Sequence, residues 1–332
     1  GVNRQSFQTE HKNGYGMDKF GADGPILEFS IALESCQAKS GRGLLPITLA
    51  RRGKTEEVVL DVGQEYGAYA QSFPFDCPKT ERIRHQLYQY LVDHQGEDGS
   101  WGIPPQDTFA PLALLASGEK PYLEAVKKNV QMHARTTSAE DDSWLINWRY
   151  MAAAIVMSEY HLATGEKWVL KELEEVYALL ISSQYIDMNQ INEKVKETHP
   201  HAYPKDEMDS HGGWGHNPGF EGYGPISMLT AQGALSFALM HRCGIDVDPA
   251  RHQAAYNFLQ RSAGANGYIW YKDQPSGEND WADMGRTGTS AIAHQLSPYQ
   301  DDVYHHRARL QAKVIGQHPQ SFPDPHGSPI MG

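Results

Sequence analysis

The sequence predicts a mainly helical fold preceded by a small mixed α+β module. From about residue 80 onward, apolar residues recur at three- and four-residue spacing, as in "RIRHQLYQYLVDH" and "PISMLTAQGALSFALMHR". This is the periodicity of amphipathic helices. Corners rich in Gly and Trp follow several of these runs. Strand signals are concentrated before residue 75, where two β-rich runs flank "RRGKTE".

The N-terminal module is assigned to residues 1–63. There "GPILEFSIALESCQ" predicts a short helix, "KSGRG" a turn, and "LLPITLARRGKTEEVVLDV" a hairpin. Over residues 14–63 this order resembles the second half of a PDZ-like domain, with R-x-G-K at the hairpin tip. The Gly-rich carboxylate-binding loop that opens such domains is not visible in the sequence, so the resemblance implies a partial, structural module. Residues 64–80 are predicted to form a linker, and residues 81–332 the helical domain.

Composition limits the classes of partner. The chain has 332 residues, which is long enough to bury a large core. Its net charge of -12 argues against nonspecific nucleic-acid binding, which needs a basic surface. No apolar run approaches the roughly 18 residues that span a membrane. We therefore expect neither a nucleic-acid nor a membrane partner.

Cysteine usage gives no evidence for a disulfide framework or a Cys-rich zinc site. The three cysteines, Cys36, Cys77 and Cys243, show no C-x-x-C spacing. No cofactor and no metal ligands are predicted, and the cellular compartment stays open. A metal site remains an alternative because four histidines lie close together in one Gly-bearing segment, namely His199, His201, His211 and His216.

The Gly/Trp corners recur along the helical part. They read "GEDGSWG", "EDDSWLINW", "DSHGGWGHN" and "GANGYIWY", and they contain Trp101, Trp144, Trp214 and Trp270. Such self-similarity is typical of a repeating helical architecture. Glycine allows the chain to turn sharply after a helix, and a Trp there can pack over the next helical hairpin.

One corner carries a family resemblance. "RHQLYQYLVDHQGEDGSWG" resembles the QW motif of the terpenoid-cyclase and prenyltransferase superfamily, in which a helix ends in Gln-x-x-x-Gly-x-Trp. "YNFLQRSAGANGYIWY" is similar to a degenerate second copy. The resemblance covers roughly residues 80–316 and implies an α/α toroid, in which helical hairpins circle a central funnel.

The ring is expected to be incomplete within this chain. The sequence contains roughly nine helical segments, whereas a closed toroid of this type has six or seven helical hairpins. The C-terminal "SFPDPHGSPIMG" reads as a further corner leading into an inner helix that does not follow. The chain is therefore predicted to be a fragment, or to complete its ring with a second chain.

The candidate site lies where the helices after the corners begin. These helices start with "TFAPLA", "NWRYMAA", "GPISML" and "GRTGTSA". Corners that recur on one side would bring these starts to one mouth of the ring, where helix dipoles favour anions. The neighbouring residues are rich in His, Tyr, Asn, Arg and aromatic rings.

At the level of composition this set resembles the α/α-toroid polysaccharide lyases. β-Elimination on a uronate needs a neutraliser for the carboxylate, a base for the C5 proton and an acid for the leaving oxygen. We predict His211 or His216 as base and Tyr223 as acid. Carboxylate clamps are predicted among Asn147, Arg149, Asn217 and Arg286. Aromatic rings predicted to stack on sugars are Trp101, Trp144, Trp148, Tyr150, Trp214, Tyr268, Trp270 and Tyr271.

Three other readings stay open. A glycoside hydrolase would use two carboxylates, with candidates Asp107, Asp141, Asp142, Glu221 and Asp283. An isoprenoid enzyme would match the fold, but the Asp-x-Asp-Asp motif of the cyclases is absent. Protein prenyltransferases bind a zinc ion through Asp, Cys and His. The only similar set of residues in this sequence is the closely spaced His241, Cys243 and Asp246. In a non-catalytic scaffold the polar side chains would be scattered, whereas in a polysaccharide-active enzyme they must converge on one substrate atom. Such an enzyme would be periplasmic or extracellular.

Overall fold

The structure is a computed structural model that describes residues 1–7, 25–141, 144–274, 284–299 and 302–317. The chain divides into two compact units, one spanning Gly1–Asp93 and the other beginning at His94. Their division does not decide the domain limits proposed from sequence, which stay a prediction. The C-terminal segment read as a further corner lies outside the described residues.

The first unit contains the expected helix and hairpin. Its elements are α1 (Pro25–Gln37), β1 (Leu44–Arg51), β2 (Lys54–Asp61) and α2 (Pro78–Asp93). The two strands pair antiparallel through a two-residue turn, as the β-rich runs around "RRGKTE" predict. A small core joins the sheet to α1, because Leu45 is fully buried beside Ala32 and Cys36.

The second unit is helical. Its helices are α3 (Pro104–Ala116), α4 (Lys120–Thr136), α5 (Ile146–Thr164), α6 (Trp168–Ser183), α7 (Val195–Thr198), α8 (Ser227–Arg242), α9 (Pro249–Ser262), α10 (Met284–Gln295) and α11 (Asp302–Gln317). The prediction of a mainly helical chain with a small N-terminal sheet is confirmed. No helix in the described ranges is long and apolar enough to cross a membrane.

Helices of the second unit pack as hairpins in sequence order. The hairpins are α3–α4, α5–α6, α8–α9 and α10–α11. The first helix of each hairpin also packs against the first helix of the next, giving a continuous row of α3, α5, α8 and α10. The row helices α5 and α8 are buried along most of their length, which explains why their sequences are apolar on nearly every face.

Two of the corners are held by the same kind of glutamine. Gln95 Nε2 donates to the carbonyl oxygens of Gly99 at 3.0 Å and Ala125 at 2.8 Å. Gln184 Nε2 likewise donates to the carbonyl oxygens of Gly212 at 2.8 Å and Arg251 at 3.0 Å. In each case one amide ties the corner to the second helix of the following hairpin. The same pattern of hydrogen bonds therefore occurs at these two corners.

The glycines of these corners touch that same second helix. Gly99 and Gly212 have φ of 100° and 88°. A Cβ at Gly99 would overlap the carbonyl oxygen of Lys128, and one at Gly212 would overlap that of Ala254. Both the positive φ and the close backbone approach require glycine at these positions.

A second repeated contact joins three of the four corners to the helices that follow them, α3, α8 and α10. The residue two positions after the corner glycine donates its backbone N–H to a side chain on that helix. The donor–acceptor pairs are Trp101 to Asp107 Oδ1 at 2.6 Å, Trp214 to Thr230 Oγ1 at 3.2 Å, and Ile269 to Thr287 Oγ1 at 3.1 Å. All three acceptors lie on row helices and are buried. Because buried N–H groups must be paired, these contacts fix the direction in which each corner enters its helix.

Two histidines, His252 on α9 and His294 on α10, are buried among tyrosine side chains. His252 and His294 are 0% and 1% exposed, and their rings lie 4.8 and 5.0 Å from that of Tyr256. One ring nitrogen of each bonds a backbone carbonyl, of Ala234 and Ser290 respectively. The other nitrogen has no partner within the described residues. Burial lowers the pKa of His252 to about 3 and that of His294 to about 4.

We predict that Gly212→Ala destabilises the protein well beyond the cost of positive φ alone. An L-residue in the left-handed region costs about 1–2 kcal/mol, and the Ala254 carbonyl would have to move as well. Gly118→Ala is the matched control, since its φ is 67° but no atom lies within 4 Å of an added Cβ. Urea unfolding compares the two variants, and equal losses of unfolding free energy would contradict the packing argument.

We also predict an acid-sensitive fold. An unfolded histidine titrates near 6.5, so the stability gained by keeping His252 and His294 neutral is complete above that pH. It is lost as the pH falls toward their folded pKa values, by about 1.4 kcal/mol per pH unit for each ring.

His294→Gln should reduce the pH dependence of the unfolding free energy by about one proton between pH 6.5 and about 4. The control His306→Gln changes an exposed residue of α11 and should leave the slope as in the wild type. Urea titrations followed by tryptophan fluorescence give both slopes. An unaltered slope in His294→Gln would show that this ring does not resist protonation.

Candidate functional site

The candidate site is built on the loop 214–226, which lies between α7 and α8. Trp214 is fully buried, and its Nε1 donates to the Leu180 carbonyl at 3.0 Å. The loop closes on itself, because the Ile226 N–H donates to the Trp214 carbonyl at 2.9 Å. Near its tip the Phe220 N–H bonds the Gln190 carbonyl at 3.1 Å. The loop is thus anchored at its base and near its tip.

A hydrogen-bonded chain of side chains runs through this loop. Trp148 Nε1 donates to His216 Nδ1 at 2.9 Å. His216 Nε2 lies 2.6 Å from the Tyr223 hydroxyl, and the Tyr271 hydroxyl donates to that same oxygen at 3.0 Å. Residues from α5, the loop and the corner before α10 therefore converge on Tyr223.

The tautomer of His216 follows from its partners. The indole N–H of Trp148 can only donate, so His216 Nδ1 must carry a lone pair. The neutral ring then has its proton on Nε2 and donates to the Tyr223 oxygen. Tyr223 consequently receives two donors, from His216 and from Tyr271. A negative charge that develops on this oxygen would be stabilised by both.

The environment of His216 disfavours a positive charge on its ring. Burial lowers the pKa of His216, and the Glu221 carboxylate offsets part of that effect. A second proton on the ring would also set Nδ1–H against the Trp148 N–H. His216 is therefore suited to donating a hydrogen bond and poorly suited to accepting a proton.

Asn147 and Asn217 hold the loop against the start of α5. Asn147 is fully buried; its Nδ2 donates to the Gly215 carbonyl at 2.9 Å, and its backbone N–H donates to the His216 carbonyl at 3.1 Å. Asn217 Oδ1 accepts from the Ile146 N–H at 3.2 Å. Both asparagines that the sequence predicts as clamps thus help to place His216.

A cavity of about 400 Å³ adjoins the chain of hydrogen bonds; we call it the lysine cavity. Its lining residues are His201, Ala202, Tyr203, Lys205, Asp209, Trp270, Tyr271, Lys272, Asp273 and Gln274. Tyr271 connects it to Tyr223. The cavity combines three aromatic rings with two lysines.

The two lysines of this cavity differ in their pairing. Lys205 Nζ donates to Gln274 Oε1 at 3.1 Å. Lys272 makes no hydrogen bond or ion pair within the described residues, and burial lowers its pKa despite the opposing charges of Asp209 and Asp273. Asp273 in turn accepts from Arg261 Nε at 3.2 Å. Lys272 is therefore a partly buried cation available to an anionic ligand.

A second, more open cavity of about 600 Å³ lies along the other residues of the loop; we call it the tryptophan cavity. It is lined by Trp144, Ile146, Gln190, Ile191, Asn192, Asn217, Pro218, Phe220 and Glu221. The Trp144 side chain is 78% exposed. An exposed indole beside amide side chains is suited to stacking on a sugar and bonding its hydroxyl groups.

Several residues predicted from sequence make contacts away from the loop 214–226 and the two cavities. Tyr150 donates from its hydroxyl to the Ser138 carbonyl at 3.0 Å. Arg286 is 3% exposed and donates to the Ile269 carbonyl at 2.7 Å and the Tyr268 hydroxyl at 3.0 Å. Trp101, Trp214 and Tyr268 belong to the corners rather than to either cavity.

His211 and Arg149 are not brought to Tyr223. The ring of His211 makes no hydrogen bond within the described residues, and its backbone carbonyl accepts from Arg261 Nη2 at 2.7 Å. Arg149 Nε lies 3.7 Å from Asp141 Oδ2 in an ion pair. Of the two histidines considered as base, the structure joins His216 to Tyr223.

Some residues for the other readings make local contacts of their own. Asp107 accepts the backbone N–H of Trp101 in its corner, and Asp142 and Asp283 lie outside the described residues. Cys243 is buried, with its thiol 3.6 Å from the Ser158 carbonyl, and burial raises its pKa. No group of three His, Cys, Asp or Glu side chains in the described ranges could hold a metal ion.

Sequence reasoning missed the cation of the lysine cavity. Lys272 follows directly after the aromatic pair Trp270 and Tyr271 in "GYIWYKD". The sequence could have indicated this lysine, because a lysine next to aromatic residues of a corner is expected to line any pocket that those residues form. Tyr203 carried no comparable signal, since only the folded insertion brings it to this cavity.

Comparison with known proteins places the chain in a family. A family model described as "Domain of unknown function (DUF6288)" matches residues 80–320. The chain belongs to this family. No curated protein matches the sequence.

One solved structure to which the chain is similar is the Lin0763 protein from Listeria innocua, with a TM-score of 0.44 and 11% sequence identity. The match covers 74% of this chain and 62% of that one, so the chain spans less than two thirds of that protein.

We predict that Trp148→Phe raises the pKa of His216. Phenylalanine keeps an aromatic ring but removes the N–H that occupies Nδ1, which leaves this nitrogen free to take up a proton. The titration of the His216 ring by NMR measures the change, with Trp270→Phe as a matched control because Trp270 does not contact His216 in any described interaction. An unchanged titration midpoint in Trp148→Phe would contradict the tautomer assignment.

Proposed function

We propose that the protein is a polysaccharide lyase that cleaves a uronate-containing polymer by β-elimination. The observation that carries the proposal is the convergence of His216 and Tyr271 on the Tyr223 oxygen beside a cavity with aromatic rings and an unpaired lysine. A scaffold protein would have no need to place two donors on one phenol oxygen at the edge of such a cavity.

Tyr223 is the proposed proton-transfer group. As the phenolate it takes the proton from C5 of the uronate, and the C5–H electrons form the C4=C5 double bond while the C4–O bond breaks. Tyr223 then returns the proton to the departing glycosidic oxygen. His216 and Tyr271 hold the negative charge on Tyr223 before transfer. The bond from Trp148 is the reason to assign the base role to Tyr223 rather than to His216.

Lys272 is the proposed neutraliser of the uronate carboxylate. Proton abstraction next to a carboxylate requires that its charge be balanced, since a second negative charge develops in the transition state. Lys272 lies next in sequence to Tyr271, which contacts Tyr223. The rings of Trp270 and Tyr203 would stack on the sugar faces.

We further propose that the second unit is an arc of an α/α toroid, with a partial PDZ-like module before it. Support comes from the row of α3, α5, α8 and α10, each joined to a hairpin partner. α3 and α10 stand at the two ends of this row, and the described residues give them no packing like that between neighbours. Further helices, from this protein or a second chain, would complete the ring.

We predict that Tyr223→Phe reduces lyase turnover by at least about a thousandfold, the scale of a lost proton-transfer group. The assay is the ultraviolet absorbance of unsaturated uronate ends as the wild type and variants act on a panel of uronate polymers. His211→Gln is the control variant and should retain the wild-type rate within about twofold, because its ring does not contact Tyr223.

Circular dichroism would show that both variants keep the wild-type helical content. Two outcomes would overturn the proposal: near-normal turnover in Tyr223→Phe, or no unsaturated ends from the wild-type protein on any polymer of the panel.

A further inference from the structure

The loop 214–226 is connected to both cavities. Asn217, Pro218, Phe220 and Glu221 of the loop line the tryptophan cavity. The same loop reaches the lysine cavity through the hydrogen bond between Tyr223 and Tyr271. Tyr223 therefore belongs to a loop that lines one cavity and is bonded to a residue of the other.

The charges of the two cavities differ. The lysine cavity holds the cationic side chains of Lys205 and Lys272 beside His201, together with the carboxylates of Asp209 and Asp273, of which Asp273 is bonded to Arg261. Among the described lining residues of the tryptophan cavity there is no lysine or arginine. Its polar groups are the amides of Gln190, Asn192 and Asn217, together with the carboxylate of Glu221. A sugar carboxylate in the tryptophan cavity would meet Glu221 with no cation to offset it.

Trp144 indicates that the tryptophan cavity binds a ring. Its indole is among the most exposed large apolar side chains of the described residues, and it lines a cavity that combines amide side chains with apolar ones. Stacking against the apolar face of a sugar would remove this surface from water. The amides around it can each donate and accept bonds with hydroxyl or acetamido groups.

We infer that the substrate is a copolymer in which a uronate alternates with an uncharged or amino sugar. The uronate occupies the lysine cavity and the other sugar occupies the tryptophan cavity, so that internal bonds of the polymer lie at Tyr223. This inference rests on the proposed function, because it assigns the substrate class of the same site.

The test measures binding separately from turnover. Dissociation constants are determined by affinity electrophoresis for two alternating copolymers, hyaluronan and chondroitin, and for two uronate homopolymers, polyglucuronate and polygalacturonate. The wild type is expected to bind a copolymer at least about tenfold more tightly than either homopolymer, a difference of about 1.4 kcal/mol.

Two substitutions test which sugar each cavity binds. Trp144→Ala should remove the preference for the copolymer and leave homopolymer binding unchanged, whereas Lys272→Met should weaken binding of both polymer classes about tenfold. The controls are Phe75→Ala, which removes an aromatic ring that is 76% exposed, and Lys171→Met, which removes a lysine that is 79% exposed. Both controls should bind as the wild type does.

The outcomes separate the two proposals. Equal or tighter binding of the homopolymers, no binding of any polymer, or a Trp144→Ala variant with the wild-type preference would overturn the copolymer inference. Selective copolymer binding that depends on both cavities, but without unsaturated ends, would support the assigned substrate class and overturn the lyase reaction.

Discussion

The hydrogen bond from a corner N–H to a side chain of the next helix is the contact on which the helical unit depends. It occurs at Trp101, Trp214 and Ile269, and its acceptors are buried on three helices of one row. Each corner would otherwise bury a backbone donor without a partner, at a cost of about 1–3 kcal/mol. The same contact sets where the chain enters α3, α8 and α10, three of the four row helices.

The site is a consequence of this repeated corner. An insertion before Trp214 and the loop after it extend one corner, and the Trp214–Thr230 contact holds the base of both. The loop can then carry polar residues that do not contribute to the core. His216 is oriented by an indole from α5, while Tyr223 is oriented by His216 and by a tyrosine of the next corner. Three successive repeats thus supply one group each to the same hydrogen-bonded chain.

Periodicity was sufficient to predict the helices and the N-terminal hairpin, because burial of one face imposes a regular spacing on the sequence. Recurrence of Gly and Trp likewise located the corners. Residue type could not separate the aromatic side chains that reach the candidate site from those buried in the corners. Tyr268 and Tyr271 stand three residues apart, yet the first is fully buried against Arg286 and the second reaches Tyr223. Nor could sequence show that Trp148 donates to His216, since that contact joins residues 68 positions apart.

The central claim is that the corner contact places the hydrogen-bonded pair His216 and Tyr223, and Thr230→Val tests it most directly. Valine has the shape of threonine but cannot accept the Trp214 N–H. NMR spectra of the histidine and tyrosine rings, compared with the wild type, report on the pair. The account predicts shifted His216 and Tyr223 signals, with the Thr287 corner unchanged. Unshifted signals from both rings would show that the loop holds its geometry without the corner contact, which would contradict the account.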